Sequence, residues 1–241
     1  MQSSLYVALS GQVALQKRLD TIANNIANVN TAGFRAEEVS FATLVSRAGA
    51  APTAFATSGE NYISRRNGEM NPTGSPLDIA VQGNAWFAVK TPDGVAYTRD
   101  GRLHIDNSGA LLTVNNYPIL DAGGASMLLD PSAGAPAISQ DGMISQDGRS
   151  IGAVGLYAID ANAKLSRYDN SAVLSDMPGA AVLDFTANGV MQGMSEGSNV
   201  NAVLEMTKMI AVSRSFDSAG NAIQSTENSL QDAIKTLGAT S

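Results

Sequence analysis

Residues 198–237 read SNVNAVLEMTKMIAVSRSFDSAGNAIQSTENSLQDAIKTL and carry an apolar residue at every seventh position. These positions are Met209, Phe216, Ile223, Leu230 and Leu237, and the first four are followed three residues later by Val212, Ala219, Thr226 and Ala233. Such a repeat is typical of a coiled-coil helix packed along another helix. The pattern predicts a helix from Asn201 to Leu237, about 55 Å long.

Both ends of this helix are marked in the sequence. The candidate N-cap residues are Ser198, Asn199 and Asn201. Lys235 suits the last turn, and Gly238 is suited to the left-handed position that follows a helix.

The first turns of the helix are more apolar than a single neighbour requires. Between Ala202 and Val212 the only polar residues are Glu205, Thr207 and Lys208. Apolar surface therefore extends beyond one seam, which predicts several neighbours around this end of the helix. The alternative is a helix wholly buried inside a monomer, because an interior helix is also apolar on all sides.

An N-terminal helix repeats the same pattern in steps of three and four. Its inward positions are Leu5, Ala8, Gln12, Leu15, Leu19, Ile22, Ile26 and Val29. Gly33 ends the segment at a position where a glycine can adopt positive φ and turn the chain. Each seam is too narrow to form a globule alone, so pairing the two terminal helices is the economical way to bury both.

Three asparagines, Asn24, Asn25 and Asn28, lie close together near the end of the N-terminal helix. Asparagine is a middling helix former that favours caps and turns, so one interpretation is a solvated face near a fraying end. The other is that these amides bond to neighbouring subunits, since buried polar groups can fix the register of an interface.

The middle of the chain is rich in short apolar runs bounded by turn residues. We predict strands at Leu77 to Val81, Trp86 to Lys90, Val95 to Thr98, Leu103 to Ile105 and Leu111 to Val114, with others around Gly155 to Ile159 and Ala181 to Phe185. Trp86 and Phe87 are the expected core anchors. The segment Ser139-Gln140-Asp141-Gly142 recurs six residues later, which indicates two tight turns rather than a calcium-binding repeat.

These features predict an α+β fold in which N- and C-terminal helices pair as a coiled coil around a mainly-β central region. The expected divisions are residues 1–34 for the first helix and its turn, 35–75 for an extended connector with a short hairpin, 76–196 for the β domain, and 197–241 for the second helix.

The composition excludes several classes of function. The net charge is -7 with no cluster of Lys or Arg, which argues against nucleic acid as a partner. The absence of cysteine excludes disulfides and thiolate metal sites. The start of the chain has no cationic segment before an apolar run, and no run approaches membrane-spanning length, so we expect no cleavable signal peptide and no direct membrane insertion.

The residues needed for catalysis are also missing from the pattern. There is a single histidine, His104, which alternates with apolar residues in a predicted strand and is interpreted as a solvated strand residue. The sequence shows no nucleophile-elbow glycines, no phosphate-binding loop and no metal-spaced cluster. We therefore expect no enzymatic activity, no cofactor and no metal, although turns rich in Asp-Gly leave a glycosidase-like carboxylate pair open.

Two motifs at opposite ends of the chain resemble one known family. The segment Ala23-Asn24-Asn25-Ile26-Ala27-Asn28-Val29-Asn30-Thr31-Ala32-Gly33-Phe34 closely resembles the N-terminal signature of the bacterial flagellar basal-body rod and hook proteins. Residues 197–201, followed by Glu205-Met206 and Met209-Ile210, resemble the start of that family's C-terminal helix. Residues 74–83 and 97–101 are also similar, so the resemblance covers most of the chain. Ala32 and Ser213 are mild departures from the family pattern.

The resemblance implies a structural rod subunit. In that family the terminal helices form the inner layer of a hollow helical tube, the β domain projects outward, and the tube transmits torque and surrounds the export channel. The implied partners are copies of itself and other rod subunits on both sides, the surrounding ring proteins, and the flagellar export apparatus. The implied location is the basal body, in the rod that spans the periplasm.

On these grounds we expect an assembly interface. It comprises Leu5, Leu15, Leu19, Ile22, Asn24, Asn25, Ile26, Asn28, Val29, Asn30, Gly33, Phe34, Asn199, Val200, Asn201, Met206, Met209, Ile210, Phe216, Ile223, Leu230, Ile234 and Leu237.

Chain length favours a proximal rod subunit, with a distal rod subunit as the alternative within the family. A different class also stays open from the residues alone. It is a free-standing secreted β-rich adhesin or carbohydrate-acting enzyme, whose terminal helices would pack on its own core.

Overall fold

The computed structural model describes residues 2–46, 53–57 and 59–238. Along the chain, a long helix lies near each end and short strands lie between them. Helix α1 spans Gln2–Ala27 and helix α2 spans Ala202–Gly238. Helix α2 begins as the sequence predicts, because Asn201 Oδ1 accepts a hydrogen bond from the backbone N–H of Leu204 at 3.0 Å and so caps the first turn.

The strands are short throughout. In chain order they are β1 Glu37–Ser40, β2 Thr43–Ser46, β3 Thr53–Ala56, β4 Glu60–Ile63, β5 Met70–Pro72, β6 Ile79–Gln82, β7 Trp86–Thr91, β8 Gly94–Thr98, β9 Leu103–Ile105, β10 Leu111–Thr113, β11 Ala137–Ile138, β12 Met143–Gln146, β13 Arg149–Ala153, β14 Leu156–Ala158, β15 Leu165–Arg167, β16 Ala172–Ser175, β17 Ala180–Ala181, β18 Gly189–Gln192 and β19 Met194–Glu196.

The chain forms two compact units. Unit 1 consists of residues 1–27, 37–62 and 201–241, and unit 2 consists of residues 28–36 and 63–200. The mixed class with a helix at each end and a strand-rich middle is therefore confirmed. The four-part division of the chain made from the sequence stays a prediction.

Unit 1 contains both helices and the strands near them. Helices α1 and α2 contact each other, and two pairs of residues give their direction. Asn25 bonds to Glu205, while Gln12 lies next to Gly220. Moving back along α1 therefore corresponds to moving forward along α2, so the helices are antiparallel. Strands β2 and β3 form an antiparallel hairpin, and β1 pairs with β4.

Unit 2 is built on a six-stranded antiparallel sheet with the order β15-β16-β8-β7-β14-β17. Successive side chains of a strand point to opposite faces, and β7 shows this directly. Phe87 and Val89 belong to one buried apolar cluster, whereas Trp86 and Ala88 belong to a second. The sheet therefore has apolar packing on both faces, and the prediction that Trp86 and Phe87 anchor the core is confirmed.

The two Ser-Gln-Asp-Gly segments form turns. Asp147 and Gly148 join β12 to β13, and both have positive φ, at 49° and 76°. This is the two-residue hairpin turn whose twist matches that of the strands. Gly142 also has positive φ, at 82°, and closes the turn between β11 and β12. The prediction of two tight turns is confirmed.

Several details differ from the sequence-based expectations. Helix α1 ends at Ala27, so Val29 lies in a turn instead of on the helical seam. Helix α2 runs through Gly238, because glycine tolerates right-handed as well as left-handed backbone. Val114, the last residue of the predicted strand Leu111 to Val114, is exposed because β10 ends one residue before it. The strand expected at Ala181 to Phe185 is limited to Ala180–Ala181.

Candidate assembly site

The turn after α1 and the segment that precedes α2 meet inside unit 2. Gly33 donates its backbone N–H to the carbonyl of Glu196 at 2.8 Å, and Asn199 donates its backbone N–H to the carbonyl of Phe34 at 3.2 Å. The Asn199 side chain accepts a bond from Ala36 N at 2.7 Å and donates to Arg66 O at 2.7 Å. The turn after α1 is therefore fixed to the segment that precedes α2.

A buried ion cluster lies at this junction. Glu196 Oε1 is 2.7 Å from Arg35 Nη2, and Glu196 Oε2 is 2.6 Å from Arg99 Nε. Arg99 also donates to the carbonyls of Ala85, Val81 and Gly83. Because all three charged side chains are almost fully buried, the carboxylate and the carbonyls supply the partners that water would otherwise supply.

Burial lowers the pKa of both arginines. It lowers the pKa of Arg35 to about 10, against an opposing effect of the nearby Glu196 carboxylate. The pKa of Arg99 is also lowered, again chiefly by burial. Arginine side chains are not deprotonated in proteins, so two positive charges share one carboxylate.

Gly33 is required by the geometry of this junction. Its φ is 67°, which confirms the positive φ expected from the sequence. A Cβ atom at this position would lie 2.7 Å from the carbonyl carbon of Arg99 and 2.8 Å from Cα of Asp100. Both the backbone conformation and the close approach of the 99–100 backbone therefore favour glycine.

In unit 1, Asn25 links both helices to a strand. Its side-chain amide donates to Glu37 O at 2.8 Å and accepts from Glu37 N at 2.8 Å, as a neighbouring strand would. Its Nδ2 also lies 3.3 Å from Glu205 Oε2, and Glu205 Oε1 is 2.6 Å from Lys208 Nζ. Asn25 is buried, so this amide makes its bonds inside the unit.

The heptad residues of α2 lie on the face that meets α1. Glu205 and Gly220 mark this face, because both lie next to residues of α1. Residues three, four and seven positions apart share one face of a helix, which places Met209, Phe216 and Ile223 on it. Each is half-buried. We call these three residues, with Val212, the inner α2 seam.

A second apolar stripe of α2 points away from α1. It consists of Val203, Leu204, Met206 and Ile210, and we call it the outer α2 face. These side chains are between 51% and 76% exposed, whereas the acidic Glu205 among them is only 6% exposed. This arrangement reverses the usual one for a surface helix, in which apolar groups are covered and charged groups are solvated.

Helix α1 carries a comparable surface near its start. Tyr6, Leu9 and Val13 are exposed and lie one and two helical turns apart. With Phe55 and Ala56 of β3 they line an open groove of about 400 Å³. Unit 1 therefore presents apolar side chains from both helices.

Comparisons with known proteins give the same picture as the motifs. Three protein-family models match this chain. Residues 5–35 match the family described as flagella basal body rod protein, and residues 80–146 match the flagellar hook protein FlgE/F/G D1 domain. Residues 191–236 match the C-terminal region of the flagellar basal body rod FlgEFG proteins. Two rod proteins named FlgF, from Mesorhizobium japonicum and Rhizobium meliloti, are each 46% identical to this chain. The alignments cover 100% of both chains in the first case and 99% of both in the second.

This chain belongs to the flagellar basal-body rod protein family. A relative named FlgG, from Bacillus subtilis, is 33% identical over 97% of this chain and 98% of its own. The chain is thus most like the FlgF members of the rod family. Within the described parts of α1 and α2, neither helix of this rod-family protein is long and apolar enough to cross a membrane.

The residues predicted for the assembly interface fall into three groups. Those buried within their units are Ile22, Asn25, Gly33 and Phe34. Those half-buried are Leu15, Leu19, Ile26, Asn28, Val29, Asn199, Val200, Met209, Phe216 and Ile223. Those exposed are Asn24, Asn30, Asn201, Met206, Ile210 and Ile234. The side chains of Leu5, Leu230 and Leu237 lie outside the described part of the structure. For all of these residues, a role in the assembly interface stays a prediction.

The residues predicted from the sequence do not include the buried charged residues of this rod-family protein. Arg35, Arg99 and Glu196 lie within or beside the three quoted motifs, and that proximity is the one sequence signal that could have singled them out. Nor do the predicted residues include Tyr6, Leu9 and Val13. Val203 and Leu204 lie in the first turns of α2, where the sequence predicts apolar surface beyond one seam, and their exposures of 76% and 51% agree with that prediction. Glu205 stood out as a charge within an apolar segment, which could have indicated a buried partner.

Proposed function

We propose that this rod-family protein is a structural subunit of the proximal flagellar rod. It polymerises into a hollow helical tube that transmits torque and surrounds the export channel. The names of its FlgF relatives support the rod assignment. The observation that carries the assembly mechanism is the outer α2 face, where Met206 and Ile210 are 52% and 56% exposed.

Covering this face with a neighbouring subunit would stabilise the assembly. Burying the exposed part of each of the four side chains contributes on the order of 1 kcal/mol. The stripe continues along α2 as Asp217, Asn221, Gln224 and Asn228, which are exposed and polar. The apolar contact is therefore confined to the first turns of α2.

The inner α2 seam has a different role in this proposal. It joins α2 to α1 of the same subunit as an antiparallel coiled coil, and the heptad spacing of Met209, Phe216 and Ile223 supports that pairing. The outer α2 face and the exposed apolar residues of α1 then contact other subunits. Such contacts join two different surfaces and do not close on themselves, which is what an open helical polymer requires.

The partners in this proposal are copies of this chain and other rod subunits on both sides. Surrounding ring proteins and the flagellar export apparatus are further proposed partners. The proposed location is the basal body, within the periplasmic part of the rod. The protein acts as a structural component and not as an enzyme. A distal position is the second candidate, favoured by the match to a FlgG relative over nearly the whole chain.

The test is the double substitution Met206→Asp with Ile210→Asp. Both side chains are exposed, so the purified variant should unfold at nearly the same temperature as the parent. In the assembly, burying its two carboxylates in an apolar contact would cost several kcal/mol. In cells that lack the normal protein, the variant should therefore be absent from purified basal bodies.

The matched control is Gln224→Asp with Asn228→Asp. It places the same two charges at the same spacing on the polar part of the same stripe. This control should be incorporated and should support swimming. Normal incorporation of the Met206→Asp and Ile210→Asp variant would contradict the proposal, and so would equal loss of the control.

A further inference from the structure

Unit 2 contains a cavity of about 440 Å³ that is rich in arginine. We propose that this cavity binds an acidic side chain of a peptide segment from a partner protein. The cavity is lined by Arg35, Arg65, Arg66, Asn67, Asn84 and Trp86, with Ile159 and Ala161. The proposal concerns a site on the β-rich unit and does not depend on assembly through the helices.

The charges at this cavity do not balance. Two buried guanidinium groups, those of Arg35 and Arg99, share the single carboxylate of Glu196. One positive charge is therefore left over at the wall of the cavity. Because a nearby charge interacts more strongly where water is excluded, an anion in this cavity would be stabilised.

Two arginines at the cavity have donors without a protein partner among the described residues. Arg35 Nε is buried and makes no hydrogen bond within the described residues. The guanidinium of Arg66 is exposed and likewise has no ion-pair or hydrogen-bond partner in the part of the chain that the structure describes. The buried Arg35 Nε is unsatisfied until an acceptor such as a carboxylate arrives. The exposed Arg66 guanidinium is solvated and can donate to a second acceptor oxygen.

The neighbouring groups hold the cavity in shape. Arg65 donates to Ile159 O at 3.1 Å and to Ala163 O at 2.8 Å, and so fixes the loop on one side. Asp160 lies in this loop, but its Oδ1 accepts the backbone N–H of Asn162 at 2.8 Å. That carboxylate is therefore engaged by its own turn.

The lining favours a peptide over a simple inorganic anion. Arg35 lies 5.5 Å above the ring centre of Trp86, so charge and an apolar wall are adjacent. Ile159 and Ala161 extend that wall, and the exposed amide of Asn84 can pair with a peptide backbone. A carboxylate carried next to an apolar side chain matches this combination. The net charge of -7 disfavours a polyanion such as nucleic acid.

Trp86 makes the test direct, because it is the only tryptophan of the chain. The probe is the capped tripeptide acetyl-Leu-Glu-Gly-amide, titrated into the full-length protein and followed by tryptophan fluorescence and by calorimetry. The neutral isostere acetyl-Leu-Gln-Gly-amide and inorganic phosphate are titrated in parallel. We expect saturable binding of the glutamate peptide and at least about tenfold weaker binding of the other two.

The variant Arg66→Gln should weaken binding of the glutamate peptide by about tenfold. Its side chain is exposed, so the variant should keep the unfolding temperature of the parent. The matched control is Arg149→Gln, which removes the same charge from an exposed position of β13 outside the cavity. This control should bind like the parent. Raising the salt concentration from about 0.05 M to about 0.5 M should weaken binding.

Each other outcome overturns the proposal. Absence of binding in both measurements, equal binding of the two peptides, or phosphate binding as strong as that of the glutamate peptide would each do so. If Arg66→Gln and Arg149→Gln weakened binding of the glutamate peptide equally, the loss would reflect only the change in net charge, and the proposal would also be overturned. None of these results bears on incorporation into basal bodies, so the two proposals fail separately.

Discussion

Arg35 Nη2 lies 2.7 Å from Glu196 Oε1, and the two side chains are only 2% and 0% exposed. Arg35 follows the turn at the end of the N-terminal motif, and Glu196 precedes the C-terminal motif. The ion pair therefore joins two distant parts of the chain inside unit 2. A buried charge is tolerated only with its partner in place, so this pair is a sensitive point of the fold.

We expect Glu196→Gln to destabilise unit 2 by roughly 3–5 kcal/mol. The substitution keeps the shape of the side chain but removes the carboxylate that both buried arginines share. The measurement is urea unfolding followed by the fluorescence of Trp86, which lies in the same unit.

The control for this prediction is Arg102→Gln. Arg102 pairs with Asp100 at 2.7 Å, but its side chain is 42% exposed. Solvent screens this pair from the Arg102 side, whereas Asp100 is only 10% exposed, so the expected loss is about 1–2 kcal/mol. If the two variants lost the same stability, the buried cluster would stabilise the unit no more than the exposed pair does.

Replacement of Gly33 by alanine should be strongly destabilising. Left-handed backbone alone costs a non-glycine residue about 1–2 kcal/mol. At Gly33 the added Cβ would also meet backbone atoms of Arg99 and Asp100, so we expect a total loss of about 3 kcal/mol or more.

Gly74→Ala separates the two contributions. Gly74 has a similar φ of 73°, but a Cβ atom there would meet nothing within 4 Å. Gly74→Ala should therefore lose only the stability that left-handed backbone costs a non-glycine residue, about 1–2 kcal/mol. Thermal unfolding of the two variants is the measurement, and a Gly33→Ala loss no larger than that of Gly74→Ala would remove the steric argument.

The sequence predicts the elements whose signal is local. Helix α2 was expected to run from Asn201 to Leu237 and spans Ala202–Gly238, because heptad spacing and an asparagine cap act within the helix itself. Strands from β7 to β10 were expected because turn residues separate their apolar runs.

Other features depend on distant partners and leave little local signal. Strand β5 pairs with β19 and β6 pairs with β18, so the short strands β5, β18 and β19 exist because remote segments supply their hydrogen bonds. The burial of Glu196 and Glu205 was not predicted for the same reason. Acidic residues are usually solvated, and only the fold places their donors next to them.

We expect Asn25→Asp to destabilise unit 1. The substitution keeps the acceptor for Glu37 N but replaces the donor that serves Glu37 O and Glu205 Oε2. An acceptor would then face two other acceptors in a buried site, for a loss of about 2–4 kcal/mol. Hydrogen exchange of α1 and β1 is the measurement.

The control is Asn24→Asp, one residue earlier on α1, where the side chain is exposed. At this position the same change of charge should alter the free energy of opening measured by hydrogen exchange by less than about 0.5 kcal/mol. If Asn25→Asp matched this control, the amide would not be the link between the helices and β1.

The last prediction concerns the inner α2 seam and uses Phe216→Asp with Ile223→Asp. Both side chains are half-buried on the face of α2 that meets α1. Two carboxylates on that face should separate the helices, because an unpaired charge in an apolar contact costs several kcal/mol. Hydrogen-exchange protection should fall in residues 2–27 and 202–238. Unit 2 should keep its protection, since its two apolar clusters consist of residues 63–190 and contain no residue of either helix. The variant should also be absent from purified basal bodies. Loss of protection throughout unit 2 would show instead that the helices belong to one cooperative core, as the free-standing monomer hypothesis requires, and normal incorporation would show that the seam is not needed for assembly.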